Sequence, residues 1–182
     1  MKGKLYGVGV GPGDPELLTV KAVRVIESCD VVIAPSAMDG GTSIALEIAK
    51  EYIKPETKVE ILHFPMGKAD REEKIYSAYQ TVEAYLAKGK NVAFLTIGDP
   101  FVYSTYIYLL EHFTEEGYMI QTIPGITSFT ASASIAGIPL VVGDETLLIL
   151  PATRIEEVEN QKYIVIMKVY KNLSLKLMTL MG

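Results

Sequence analysis

Gly98, Asp99 and Pro100 end a continuous apolar run, Val92–Ile97, and precede a helical pattern carried by Tyr103, Tyr106, Ile107 and Leu110. A short unbroken apolar run bounded by turn residues fits a strand buried on both faces. Open parallel sheets bind ligands in the crevice beyond the carboxyl ends of their strands. At such a place Gly98 lets backbone approach a ligand closely, Asp99 adds an acceptor, and Pro100 stops the strand and stiffens the turn. The chemistry this supports is ligand binding against backbone. An ordinary strand-to-helix turn is built from the same residues.

A second stretch, GVGVGPGDPELLT at Gly7–Thr19, invites comparison with dinucleotide and phosphate loops. The spacing fails the dinucleotide pattern, because Pro12 and Asp14 stand where its third glycine is needed. Asp30 begins a strand, whereas the ribose-binding acid of that pattern ends one. The phosphate-loop pattern G-x-x-x-x-G-K-[ST] is absent as well. An NAD enzyme and an NTPase are therefore not expected. His63 and His112 are far apart and belong to no spaced ligand motif, so no metal site is expected. Cys29 stands alone, excludes an intramolecular disulfide, and reads as a small buried residue closing the first helix.

The elements that must position these loops alternate. Lys4–Val10 reads as a first strand. Asp14 caps, and Pro15 opens, a helix running to Ser28. Asp30–Ala34 is a second strand stopped by Pro35. Thr42 or Ser43 caps a helix over Ile44–Tyr52, and Lys58–Leu62 is a third strand. Arg71–Ala87 is amphipathic, with Ile75, Ala78, Val82 and Leu86 on its inner stripe. The central strand follows, then a helix over Tyr103–Phe113 and a strand at Met119–Ile123. A small-residue helix runs from the Pro124-Gly125 break to Gly137. Strands at Glu145–Leu150 and Tyr163–Met167 flank a short helix at Arg154–Asn160, and Asn172–Met181 reads as helical. The alternation predicts an α/β fold with largely parallel or mixed sheets. Two domains are expected, 1–116 and 117–182. The second has few strands and lacks a closing one, so it reads as truncated.

About half of the 182 residues are apolar (49%) and 21% are charged, as in an ordinary globular protein. The net charge of −5 argues against a general nucleic-acid partner. No apolar run is long enough to span a membrane, and the first residues carry no cleavage signal, so a cytoplasmic location is the expectation.

Four stretches together resemble the tetrapyrrole methylase family: GVGPGDPELLT at Gly9–Thr19, GDPFVYST at Gly98–Thr105, PGITSFTA at Pro124–Ala131 and VIMK at Val165–Lys168. They occur in family order and spacing and span nearly the whole chain. Further features, YGVGVGPGDPELLT, His63-Phe64-Pro65-Met66 and Tyr103-Ser104-Thr105 before Tyr108-Leu109-Leu110, are similar to the branch that methylates carbon 20 of precorrin-2 or cobalt-factor II. The resemblance implies two α/β domains with S-adenosyl-L-methionine in a cleft between them. It also implies a tetrapyrrole in a trough beside the cofactor, and a homodimer. Carried over motif by motif, it implies a cofactor shell of Pro12, Ile97, Gly98, Asp99, Val102, Tyr103, Thr127, Ser128 and Met167. The family often has alanine where Ser128 stands, so that contact is expected through backbone. Family members run on to further strands of the second domain. A methylase for another ring position, one for a protein or RNA target, and a binding module without activity remain alternatives.

Methyl transfer from a sulfonium to an electron-rich ring carbon needs positioning and desolvation more than a protein nucleophile. The lack of a Ser-His-Asp set or an acid pair therefore does not count against it. The catalytic residues and the proton acceptor are unassigned. Lys68, Arg71, Arg154 and Lys168 are candidates for the carboxylates of a polyanionic substrate, although each alone reads better as a solvated surface charge. Tyr103, Tyr106 and Tyr108 are candidates for stacking on a macrocycle, with Tyr106 the better core residue. His63 reads as a loop residue near the mouth of the trough.

Overall fold

A computed structural model describes residues 2–38, 40–64 and 71–169, with residues 71–74 described by backbone alone. The chain divides into two units, Met1–Ser128 and Phe129–Gly182.

The first unit is built on five parallel strands: β1 (Lys4–Gly9), β2 (Val31–Ser36), β3 (Lys58–His63), β4 (Val92–Thr96) and β5 (Met119–Ile123), in the order β3-β2-β4-β1-β5. Every residue of β4 is buried. Its side chains alternate between two cores, which is why the run is apolar without a break. Ala93 and Leu95 pack with Val8, Ala22, Ile26 and Ile48, under α1 (Val20–Ser28) and α2 (Ile44–Ala49). Val92 and Phe94 pack with Val82, Leu86, Tyr106 and Leu109, under α3 (Arg71–Ala87) and α4 (Tyr106–Glu115). The stripe expected on α3 is the buried one: Ala78, Val82 and Leu86 are 3% exposed or less, and Ile75 is half-buried.

The connections decide where a ligand belongs. From β1 the chain crosses by α1 to β2, on one side of the sheet order. From β4 it crosses by α4 to β5, on the other side and over the opposite face. β1 and β4 are neighbours, paired from Leu5↔Val92 to Gly9↔Thr96. The switch point therefore lies between their carboxyl ends, where the Gly9–Asp14 and Ile97–Thr105 loops emerge.

Several boundaries differ from the sequence expectation. β5 pairs with β1 from Lys4↔Met119 to Val8↔Ile123, so it belongs to the first unit. The division falls after Ser128 instead of after residue 116, because β5 fills the edge that β1 would otherwise leave unpaired. The helix expected from Pro15 to Ser28 is broken. Asp14 caps only a 3-10 turn, Pro15–Leu17, and Leu18 is extended and buried in the core. Thr19 then starts α1 by accepting the Ala22 N–H at 3.1 Å. Pro35 lies inside β2 instead of ending it. The β2–β4 register ends at Ile33↔Phe94, so at Pro35 the strand is paired only with β3, and the missing N–H has no ladder to complete on the β4 side. α4 begins at Tyr106, since Tyr103 has φ +51, which no α-helix accommodates. Ser43, of the two residues considered, caps α2.

In the second unit, α5 (Ser128–Ala136) is followed by a parallel pair, β6 (Leu147–Pro151) and β7 (Tyr163–Met167), joined by a 3-10 segment, Ala152–Glu157, in place of the helix expected over Arg154–Asn160. The helix expected at Asn172–Met181 lies outside the described residues. Among those described, no helix is long and apolar enough to cross a membrane.

Cys29 follows α1 and is 5% exposed, and burial pushes its thiol up to about 12. A thiol in that state is neither a nucleophile nor a ligand at neutral pH. The native protein is expected to leave a disulfide thiol reagent unreacted until it unfolds. Stoichiometric release of the reporter thiolate from native protein would contradict this placement.

Candidate active site at the β1–β4 switch point

Three backbones meet at the carboxyl end of the sheet. The Gly98 N–H donates to the Gly11 carbonyl at 2.8 Å, and the Val10 N–H donates to the Thr96 carbonyl at 2.9 Å, which continues the β1–β4 contact into the two loops. The loop after β5 closes from the third side. A Cβ on Gly125 would stand 2.1 Å from the Gly98 carbonyl oxygen and 2.8 Å from the Gly9 Cα. A Cβ on Gly9 would stand 2.6 Å from the Gly125 nitrogen. Glycine at 9 and 125 thus permits a contact between main chains that side chains would block. At Gly98 the demand is conformational: φ is +71, and an added Cβ would meet nothing nearer than 3.9 Å. Gly98 therefore turns the chain, with the Ile126–Ser128 backbone in ordinary van der Waals contact with that position.

Asp99 braces this arrangement. One carboxylate oxygen accepts the Phe101 N–H at 2.9 Å, and the other accepts the Gly125 N–H at 3.0 Å. The first bond shapes the turn; the second ties the β4 loop to the β5 loop. The sequence suggested an acceptor facing a ligand, and the structure engages both oxygens with backbone.

The structure brings most of the expected shell to one end of the first unit. Thr127 Cα and Ser128 N come within 4.0 Å of the position a Gly98 Cβ would take. Pro12 is half-buried in the first loop, Ile97 and Tyr103 are exposed on the β4 loop, and Val102 is half-buried between them. Ser128 is exposed at the start of α5. Met167 ends β7, half-buried, in the second unit.

Of the tyrosines, Tyr106 is a core residue. It is fully buried, its ring covers Gly7, and its hydroxyl is 2.8 Å from Thr122 Oγ1. Burial raises its phenol above the ordinary value. Tyr108 is half-buried and its carbonyl accepts the Tyr79 hydroxyl. His63 is the last residue of β3, opposite Ser36. Arg154 is exposed and paired with Glu157, and Lys168 is exposed with φ +56. Lys68 and the side chain of Arg71 lie outside the described residues. No group of three potential metal-ligating side chains occurs among those described.

Some participants were not read from the sequence. In the sequence Gly9 falls inside the expected first strand, Lys4–Val10, and Gly125 in the Pro124-Gly125 break, although glycines at alternate positions 7 and 9 of a strand are a signal of close approach. Thr96 Oγ1 is buried with no hydrogen-bond partner among the described residues. Its place on the face of Phe94 was legible, but its lack of a partner was not.

The profile of the family described as Tetrapyrrole (Corrin/Porphyrin) Methylases matches residues 4–181. The chain is 43% identical over 176 residues to a probable cobalt-precorrin-2 C(20)-methyltransferase of Methanocaldococcus jannaschii, covering 96% of this chain and 75% of that protein. It is 36% identical over 177 residues to the cobalt-precorrin-2 C(20)-methyltransferase of Salmonella typhimurium, covering 93% and 74%. Among solved structures, it is similar to a cobalt precorrin-4 methyltransferase with a TM-score of 0.63 at 28% identity, over 80% of this chain and 56% of that one. With the switch-point loops, their glycines and the profile in agreement, the chain belongs to the tetrapyrrole methylase family.

Proposed function

We propose that this chain is an S-adenosyl-L-methionine-dependent methyltransferase that adds a methyl group to carbon 20 of precorrin-2 or cobalt-factor II in cobalamin biosynthesis. The observation that carries the reading is the identity of 36–43% to relatives named for that reaction, over about three quarters of their length. The site supports it. The close meeting of Gly9, Gly98 and Gly125 forms a backbone floor beside the exposed Ile97 and Tyr103, which fits a ligand held by main-chain groups instead of by charged side chains.

When bound, the cofactor supplies an activated methyl group and its own leaving group. The residues that would hold it are Pro12, Ile97, Gly98, Asp99, Val102, Tyr103, Thr127, Ser128 and Met167. Asp99 holds two of the loops in register, Gly98 admits the ligand to backbone, and Ile97 and Tyr103 shield the reacting atoms from water. Fixing two reactants in line in this way is worth about 7–11 kcal/mol in favourable cases, so positioning suffices without a nucleophilic side chain. The reading extends to a homodimer, supported by the family resemblance.

The test pairs calorimetry with turnover. S-adenosylhomocysteine is expected to bind without added metal. Cobalt-factor II or precorrin-2 is expected to gain one methyl group, placed at carbon 20 by nuclear magnetic resonance, with no methylation of RNA or protein. Methylation at another ring position, or binding without turnover, would replace this reading with one of its alternatives.

A further inference from the structure

Two local costs meet in the turn that follows β4. Thr96 Oγ1 is the one buried side-chain polar atom that lacks a hydrogen-bond partner among the described residues. Further along the same turn, Tyr103 has φ +51, and among the described residues of the first unit it is the one non-glycine with a left-handed backbone. Burying an unpaired hydroxyl and holding a bulky side chain at positive φ both cost free energy. Such costs persist only where the surrounding structure imposes them, and they gather at ligand-binding sites. Here they open and close the stretch that carries Ile97, Gly98, Asp99 and Val102.

The fold imposes the first cost by using the backbone donors around it elsewhere. Thr96 is 8% exposed and is paired with Gly9, which brings no side chain. The Val10 N–H goes to the Thr96 carbonyl, the Gly98 N–H to the Gly11 carbonyl, and the Phe101 and Gly125 N–H groups to Asp99. On the other side, the β2–β4 register stops at Ile33↔Phe94, before Thr96 is reached. Pro35, the next residue but one after Ile33, has no N–H to give. The hydroxyl is therefore left over by the topology, at the root of the turn. Valine has the same shape without a hydroxyl to strand, and the rest of β4, Val92 to Leu95, is apolar. Threonine is thus the less stable choice at this position in the free protein.

On the proposed function, on which this rests, we propose that Thr96 is a positioning residue for the adenosyl ligand. The free protein holds the Thr96–Tyr103 turn at raised energy. The turn shifts when the ligand binds, and the Thr96 hydroxyl gains its hydrogen bond only then. Part of the ligand's affinity is in this way the release of a cost built into the free turn. Thr96 acts through the turn and does not touch the reacting atoms.

The experiment measures the melting temperature of the free protein and its affinity for S-adenosylhomocysteine by calorimetry, in Thr96→Val, Thr96→Ser and Thr122→Val. Thr122 on β5 is the comparison, because its hydroxyl is already paired with that of Tyr106 at 2.8 Å. Thr96→Val is expected to raise the melting temperature by about 2–4 °C, since the stranded hydroxyl is gone and the shape is kept. The same substitution should weaken the adenosyl ligand by about fivefold, because the bond gained on binding is gone too. Thr96→Ser keeps the hydroxyl and should keep the affinity within about twofold. Thr122→Val should lower the melting temperature and leave the affinity within about twofold, the pattern of a hydroxyl with a structural role alone. A lower melting temperature for Thr96→Val would mean that the hydroxyl is already paired in the free protein, by an enclosed water or otherwise, and would overturn the assignment. A higher melting temperature with unchanged affinity would overturn it as well, since the hydroxyl would then stay unpaired in both states. Either result leaves the function standing. Failure of the unsubstituted protein to bind S-adenosylhomocysteine would overturn the function and this inference with it.

Discussion

Gly125→Ala is expected to destabilise the protein by about 3 kcal/mol or more and to abolish adenosyl-ligand binding. The added Cβ would fall 2.1 Å from the Gly98 carbonyl oxygen, and its other near neighbours are backbone atoms of Gly9. No flexible side chain can swing aside, so the three loops must separate. For a chain of this size the loss corresponds to a fall of about 6–12 °C in melting temperature. The Gly98 turn would move with the Gly125 loop, taking the floor of the site with it. Gly117→Ala provides the comparison: Gly117 has φ +69 but nothing within 4 Å of its added Cβ. That substitution should cost only the left-handed backbone strain, about 1–2 kcal/mol, and leave ligand affinity unchanged. A melting temperature for Gly125→Ala no lower than that of Gly117→Ala would mean that the three backbones do not meet as described.

How far the sequence revealed this arrangement depended on the range of the interaction. The apolar run ending at Gly98 marked the central strand because burial on both faces leaves no polar position in β4. The stripe of Ala78, Val82 and Leu86 marked α3 for a similar reason: one helical face is buried, and the spacing records it. Partners distant in sequence left no such record. Nothing in MIQTI shows that it pairs with β1, so the first unit extends past the boundary expected from counting strand-helix units. Pro35 read locally as a stop, yet the strand continues where one side of its ladder is absent. The Leu18 break has the same origin, since a core that takes a leucine at an extended backbone overrides a continuous helical pattern. The site divides likewise. Gly98 and Asp99 were legible as turn chemistry, whereas the contact of Gly125 with Gly9 exists only once β5 lies beside β1.

Asp99→Ala is the second substitution with a large expected effect, and its cause is different. The carboxylate accepts the N–H groups of Phe101 and Gly125, so its removal leaves two backbone donors to find water. Hydrogen bonds to a charged acceptor are worth about 1.5–3 kcal/mol each, and the half-buried position of Asp99 lowers that through solvent access. A combined loss of about 3 kcal/mol is expected, with adenosyl-ligand affinity falling by about tenfold or more as the β4 and β5 loops lose their tie. Asp99→Asn should fall between, because an amide offers one accepting oxygen and sets an N–H donor against the other donor. Hydrogen exchange separates this account from a direct ligand contact. Without any ligand present, the Gly125 amide should exchange faster in Asp99→Ala than in the unsubstituted protein, while amides of β4 keep their protection. If the Gly125 amide exchanges at the same rate in both, Asp99 is not the tie between the loops, and any loss of ligand affinity must come from a contact that the carboxylate makes with the ligand itself.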